Sequence, residues 1–304
     1  MKGRLVRGNA GERVMPLAAG VALASLWASP ALALDGGERA PGEPFEPKWS
    51  ADQGATEAPG ETEEADDGIG LEVGVTAGSA YAWRGLNIYA AESQHDQHGQ
   101  IAPWISYSVP GTGLSLDYWS SYQTNGANKS TAVEEGTGAE QDLTATYAFE
   151  VSDEVSVDPF VSGYFYPFAK QAAAGVQNPT YVEPGVGVNY ATFVDLGVSV
   201  SYIHGLQSEL KDGRHGYLHF AVSKAVPLTD GFELSVGAGY GLKGYVEDVG
   251  QDNVQDVQLD AALAFVVDSA TLAPGVHWVW TDLNGVAFSQ EQFTYAGLDA
   301  SYAF

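Results

Sequence analysis

The chain has 304 residues, among them 37 glycines and 16 tyrosines but no cysteine, and only 17% are charged. The lack of cysteine excludes disulfides and thiolate metal sites; 39 acidic against 13 basic residues exclude nucleic acid as a partner. Beyond the N-terminus no apolar run reaches the ~18 residues that a transmembrane helix needs.

The N-terminal residues read as a secretory signal. Lys2, Arg4, Arg7 and Arg13 form a basic region, Met15 to Trp27 is apolar, and Ala31-Leu32-Ala33 offers a cleavage site flanked by small residues. Cleavage after Ala33 makes 1–33 the signal and leaves 9 basic and 38 acidic residues in the exported chain. Residues 34–68 are rich in Pro, Gly, Glu and Ala and too poor in apolar side chains to build a core. They read as a disordered acidic periplasmic leader.

From Ile69 onward, apolar and polar residues alternate with period 2, the mark of strands with unlike faces. Twelve segments are countable. The first runs from Leu71 through Val73, Val75, Ala77 and Ser79 to Tyr81 and Trp83. The others carry Ile101–Tyr107, Leu114–Tyr118, Leu143–Phe149, Val157–Phe165, Val182–Tyr190, Leu196–Tyr202, Leu218–Val222, Phe232–Tyr240, Val257–Phe265, Leu272–Trp280 and Leu298–Phe304. The last alternates up to a terminal aromatic, as strands that close outer-membrane barrels commonly do. Connections alternate between short, such as Pro110–Gly113 and Asp268–Ser269, and long, such as Gln123–Gln141. Short periplasmic turns and long outer loops are the expected asymmetry of a transmembrane barrel. With odd segments running outward, Trp83, Tyr118, Tyr122, Phe165, Tyr202, Tyr240, Trp278 and Trp280 fall near one membrane interface. Tyr107, Tyr147, Phe149, Tyr190, Phe265, Tyr302 and Phe304 fall near the other, as an aromatic girdle requires. A large soluble β-sandwich is the rival architecture.

The opposite parity lists the interior: Glu72, Arg84, Trp104, Asp117, Trp119, Asp142, Asp158, Tyr164, Tyr166, Glu183, Asn189, His219, Glu233, Asp260, His277 and Asp299, with glycines thinning part of the wall. One Arg cannot pair these carboxylates, and a dry interior would make them very costly. Either the lumen holds water and counter-ions or several carboxylates are protonated; the wet lumen is the reading adopted. Twelve strands lie between side-chain-filled eight-stranded barrels and wide porins, and an acidic ring in a narrow channel attracts cations. Glu72, Arg84, Asp117, Asp142, Asp158, Glu183, Glu233, Asp260 and Asp299 are the expected pore-lining and selectivity residues. A hydrogen-bonded plug without useful conductance stays open as the alternative. Arg84, inward at the top of the first segment, is expected to pair with carboxylates and pin the wall, or else to form one side of a constriction.

The string Ser79-x-Tyr81-x-x-Arg84-Gly85, followed by Ser93-Gln94 and by Asp117-Tyr118-Trp119-Ser120-Ser121 in the third segment, resembles the TorF-type porin family of small Gram-negative outer-membrane barrels. The likeness covers about Val73 to Gln123. The acidic leader and His95-Asp96-Gln97-His98 depart from it. The resemblance implies a pore-like role and attaches no substrate.

Two rival functions remain. One is an outer-membrane acyl hydrolase with a Ser-His pair facing lipid. His219 and Ser223 share a face but stand about 13 Å apart along a strand, so no catalytic residue is assigned and the chain is read as no enzyme. The other is a barrel with a structural or surface role and no open pore. The acidic loop residues Glu134, Glu135, Glu140, Glu247, Asp248, Asp252 and Asp256 could bind Ca²⁺, but their spacing matches no EF-hand or RTX repeat. No metal or cofactor is assigned, and Asn128-Lys129-Ser130 reads as a chance sequon. The expectation is therefore an exported all-β protein: a twelve-stranded, antiparallel, up-and-down barrel in the bacterial outer membrane. It would contact lipid and lipopolysaccharide and pass small hydrophilic solutes with a preference for cations. The oligomeric state is left open.

Overall fold

A computed structural model of the chain describes residues 69–89, 98–124, 139–167, 180–206, 215–229, 231–244, 254–282 and 291–304. The signal 1–33, the leader 34–68, the sequon at 128–130 and the loop acids at 134, 135, 247, 248 and 252 lie outside these residues.

The strands are β1 (Leu71–Gly78), β2 (Ala82–Trp83), β3 (Leu86–Asn87), β4 (Gln100–Ser108), β5 (Leu114–Gln123), β6 (Ala139–Tyr147), β7 (Phe149–Ser152), β8 (Val155–Phe165), β9 (Thr180–Ala191), β10 (Asp195–Gly205), β11 (His215–Thr229), β12 (Phe232–Lys243), β13 (Val254–Val267), β14 (Ala270–Thr281) and β15 (Gln292–Ala303). β6 and β7 are one stave interrupted at Ala148, and both pair with β8. Leaving aside the small β2–β3 pair, twelve staves remain. Each is antiparallel to its sequence neighbour, and β1 pairs with both β4 and β15. The sheet is thus a closed, up-and-down, all-β barrel. Carried once round the cylinder, the registers return displaced by about 16 residues, a stagger that tilts the staves by roughly 45°.

Alternation decides the faces. Ile105, Leu116, Leu143, Val198, Phe220, Leu259, Val276 and Leu298 all stand exposed on the outer surface. Tyr122, Phe165, Tyr202 and Tyr240 band that surface at the end away from the short connections. Tyr107, Tyr147, Phe149, Tyr190, Phe232, Tyr302 and Phe304 band it at the short-connection end.

The first segment departs from its sequence reading. The stave ends at Gly78, not at Trp83. The chain then folds back inside the barrel as the two-residue hairpin β2–β3, with Ala82 opposite Asn87 and Trp83 opposite Leu86. Trp83 is therefore no girdle residue on the lipid side: it is 2% exposed inside the lumen. Arg84 and Gly85 at the turn carry φ of 42° and 80°. A tight two-residue turn with positive φ at both central positions matches the right-handed twist of its strands.

Candidate functional site

The end of the lumen away from the short connections is packed. Ser79 joins the hairpin to β15: its N–H donates to the Ala296 carbonyl at 2.9 Å, and its hydroxyl accepts from the Ala296 N–H at 3.0 Å. Ala80 and Ala82 lie against Val279, Phe293 and Tyr295. The Tyr81 ring meets Tyr89 at 5.2 Å and Trp119 at 5.6 Å, and Leu86, Ile88 and Tyr89 are almost fully buried. Small residues at 79, 80 and 82 let the hairpin approach the wall, and the large ones then fill the bore. The hairpin thus fills the interior at this end with buried apolar and polar side chains, where the sequence reading favoured a wet lumen over a hydrogen-bonded plug.

Polar side chains anchor the hairpin at fixed points. The Tyr81 hydroxyl donates to Glu140 at 2.8 Å, and Tyr166 donates to the other oxygen of the same carboxylate at 2.8 Å. Burial, with Glu140 beside it, raises the Tyr81 phenol well above its ordinary range, so it stays a donor. Tyr89 and Ser121 hydroxyls share a hydrogen bond of 2.8 Å.

At the tip, Nη2 of Arg84 meets Glu183 at 2.6 Å, with both side chains nearly closed to water, and also reaches Ser201 Oγ at 3.4 Å. The guanidinium carbon lies 3.8 Å from the centre of the Tyr217 ring. Tyr164 donates to the second Glu183 oxygen at 3.1 Å. Lys243 donates to the Arg84 carbonyl and stands 3.8 Å from Asp256, which also accepts from Tyr217 at 3.1 Å. A charge-assisted, stacked contact of this kind suits Arg and not Lys.

Asp142 lies directly across from Trp119 and Tyr164 in the wall. It is 1% exposed, and among the described residues neither carboxylate oxygen has a hydrogen-bond partner. Trp104, beside Trp119, lies over Gly74 so closely that a Cβ there would fall 2.3 Å from its ring. A side chain at 74 and this indole exclude each other.

Toward the short connections the lumen is polar. Asp117 accepts from Ser106 at 2.7 Å. Asp158 accepts from Asn189, and from Ser156 at 3.1 Å. Asp260 meets His277 Nδ1 at 2.5 Å and accepts from Gln258 at 2.8 Å. The His277 ring stacks on Tyr295 at 4.4 Å. Asp299 accepts from Thr76. Glu72 and Glu233, each second in its stave, are buried, whereas Asp158 is half-buried and Asp299 exposed although both face inward. Water therefore reaches this half.

All nine sequence-derived pore residues face the interior. Arg84 does so from a hairpin tip, not from a stave, and with Glu183 and Asp142 it belongs to the closed half. Sequence reasoning missed Lys243, and it left Glu140 and Asp256 in loops. All three continue the inward parity of Glu233, Asp142 and Asp260, so extending the segments by one to three residues would have found them. It also missed Tyr81, Ser201 and Tyr217, whose roles depend on the hairpin entering the bore.

No family model and no curated protein matches the chain. Among solved structures it is similar to the NanC porin at 12% identity and TM-score 0.49, covering 77% of this chain and 100% of that one. An outer-membrane channel from Pseudomonas putida F1 gives 12% identity and TM-score 0.46, covering 80% and 100%. LpxR from Salmonella typhimurium gives 13% and 0.43, covering 77% and 100%. At these values none carries an activity over to this chain, and the barrel rests on the chain's own closed registers.

Proposed function

We propose that the chain is a porin-like channel of the bacterial outer membrane, of the TorF type, passing small hydrophilic solutes with a preference for cations. In the state described here the β2–β3 hairpin holds it closed. The observation that carries this reading is the charge of the interior: among the described residues, eight buried acids face two buried basic residues, Arg84 and Lys243. Fixed carboxylates raise the local cation concentration and lower the barrier to entering, and salt screens this over about 10 Å at ~0.1 M. The apolar outer belt with its two aromatic bands supports a lipid surround.

The packed hairpin also favours a second reading, a barrel with a structural or surface role and no open pore. Planar-bilayer recording of the purified chain separates the two. The channel reading expects rare openings of the parent, frequent openings of Arg84→Ala, and a reversal potential in a salt gradient that reports cation flow. A reversal potential at zero rejects the cation preference. Silent bilayers for both proteins favour the structural barrel.

A further inference from the structure

The guanidinium of Arg84 sits among groups of the barrel wall, with the hairpin's own Trp83 ring 5.2 Å away. Tyr164, Glu183, Ser201 and Tyr217 come from the consecutive staves β8, β9, β10 and β11, and Ser201 and Tyr217 are direct cross-strand partners. We infer that this cage is a binding site for solutes that carry a guanidinium group, with Arg84 as its tethered occupant. The inference deepens the channel reading by naming the class of cation.

The recognition set is specific. A carboxylate at 2.6 Å grips one edge, and Tyr164 at 3.1 Å holds that carboxylate from behind. The Tyr217 face covers the plane at 3.8 Å, and Ser201 offers a hydroxyl at 3.4 Å. A planar, weakly hydrated cation fits an edge and a face at once; a compact ammonium uses only the charge. The tether fits less well than a free ligand would. Arg84 is a non-glycine residue at φ 42°, a left-handed conformation that costs free energy. Among the described residues its buried Nη1 has no hydrogen-bond partner, a further cost. A free guanidinium carries no backbone strain, so it competes with Arg84 for Glu183 and releases the hairpin tip.

The test uses the full chain in detergent micelles, with butylguanidinium as probe and butylammonium as control at matched ionic strength. Calorimetric titration is expected to show butylguanidinium binding to Arg84→Ala, with binding to Arg84→Ala/Glu183→Gln weaker by about tenfold or more, as loss of a charge-assisted contact implies. Butylammonium should bind Arg84→Ala by a similar factor less tightly. Equal binding to both variants, equal binding of the two cations, or no binding to a folded Arg84→Ala overturns the inference. A second readout does not depend on that variant folding. The native chain has no cysteine, so Leu86→Cys reports hairpin release through maleimide labelling. Butylguanidinium should speed labelling where butylammonium does not; an unchanged rate overturns the inference. Neither readout measures conductance. A failed titration leaves the channel reading standing, and silent bilayers leave the cage standing.

Discussion

Replacing Glu183 by Gln tests whether the ion pair at the hairpin tip keeps the lumen closed. The pair spans 2.6 Å, and its side chains are 3% and 0% exposed, so solvent does not weaken it as it weakens a surface bridge. Removing one partner of a buried pair costs about 3–5 kcal/mol, because the other charge is left uncompensated. Here the Gln amide still offers an acceptor, and the Tyr217 ring stays 3.8 Å away, so the lower figure of about 3 kcal/mol applies. The substitution leaves the backbone ladder of the staves untouched. The loss falls on the docking of the hairpin, a shift of roughly a hundredfold toward the undocked form. Single-channel recording at fixed voltage should show open probability rising by about that factor, within the limit of full opening. Heat-modifiable migration on gels should show that the barrel itself remains folded. A folded variant whose open probability equals that of the parent would refute the reasoning, and would place the closure in the apolar contacts of Ala80, Trp83 and Leu86.

Three further outcomes are expected. Gly85→Ala places a methyl at φ 80°, 2.7 Å from the Asp256 Cβ and 2.8 Å from the Thr281 Cβ; it should loosen the hairpin by about 1–3 kcal/mol and expose Arg84 to trypsin, and an uncut chain counts against a tightly seated turn. Leu259→Arg, at a position 47% exposed on the outer face, should lower refolding stability in bilayers by about 2–4 kcal/mol if lipid surrounds it; a change under about 0.5 kcal/mol, normal for a surface in water, rejects the lipid assignment. Asp117→Asn combined with Glu183→Gln should reduce cation-over-anion permeability, and an unchanged reversal potential shows that these residues do not set selectivity.

Much of the wall was legible because successive side chains on a strand point to opposite faces. Once Leu116 and Tyr118 are assigned outward, Asp117 and Trp119 have no choice but to face in. The same logic fails between Ser79 and Trp83. There the alternation continues unbroken, and a hairpin inside the bore has the same period as a stave in its wall. The turn that marks the difference is Arg84-Gly85, without the Asn-Gly signature of such hairpins. Segment ends blurred for a related reason: Glu140, Lys243 and Asp256 are charged and lie next to long connections, so polarity alone assigned the acids to loops.

The sequence by itself determined that the chain forms amphipathic staves and which side chains of each recognised stave share a face, since covalent geometry ties parity to face. Only the tertiary structure decided what fills the lumen. Arg84 and Glu183 are 99 positions apart and meet because the stagger of the closed sheet carries β9 opposite the place where the chain turns inward after β1. No local pattern encodes such a meeting, which follows from closure and register around the whole cylinder.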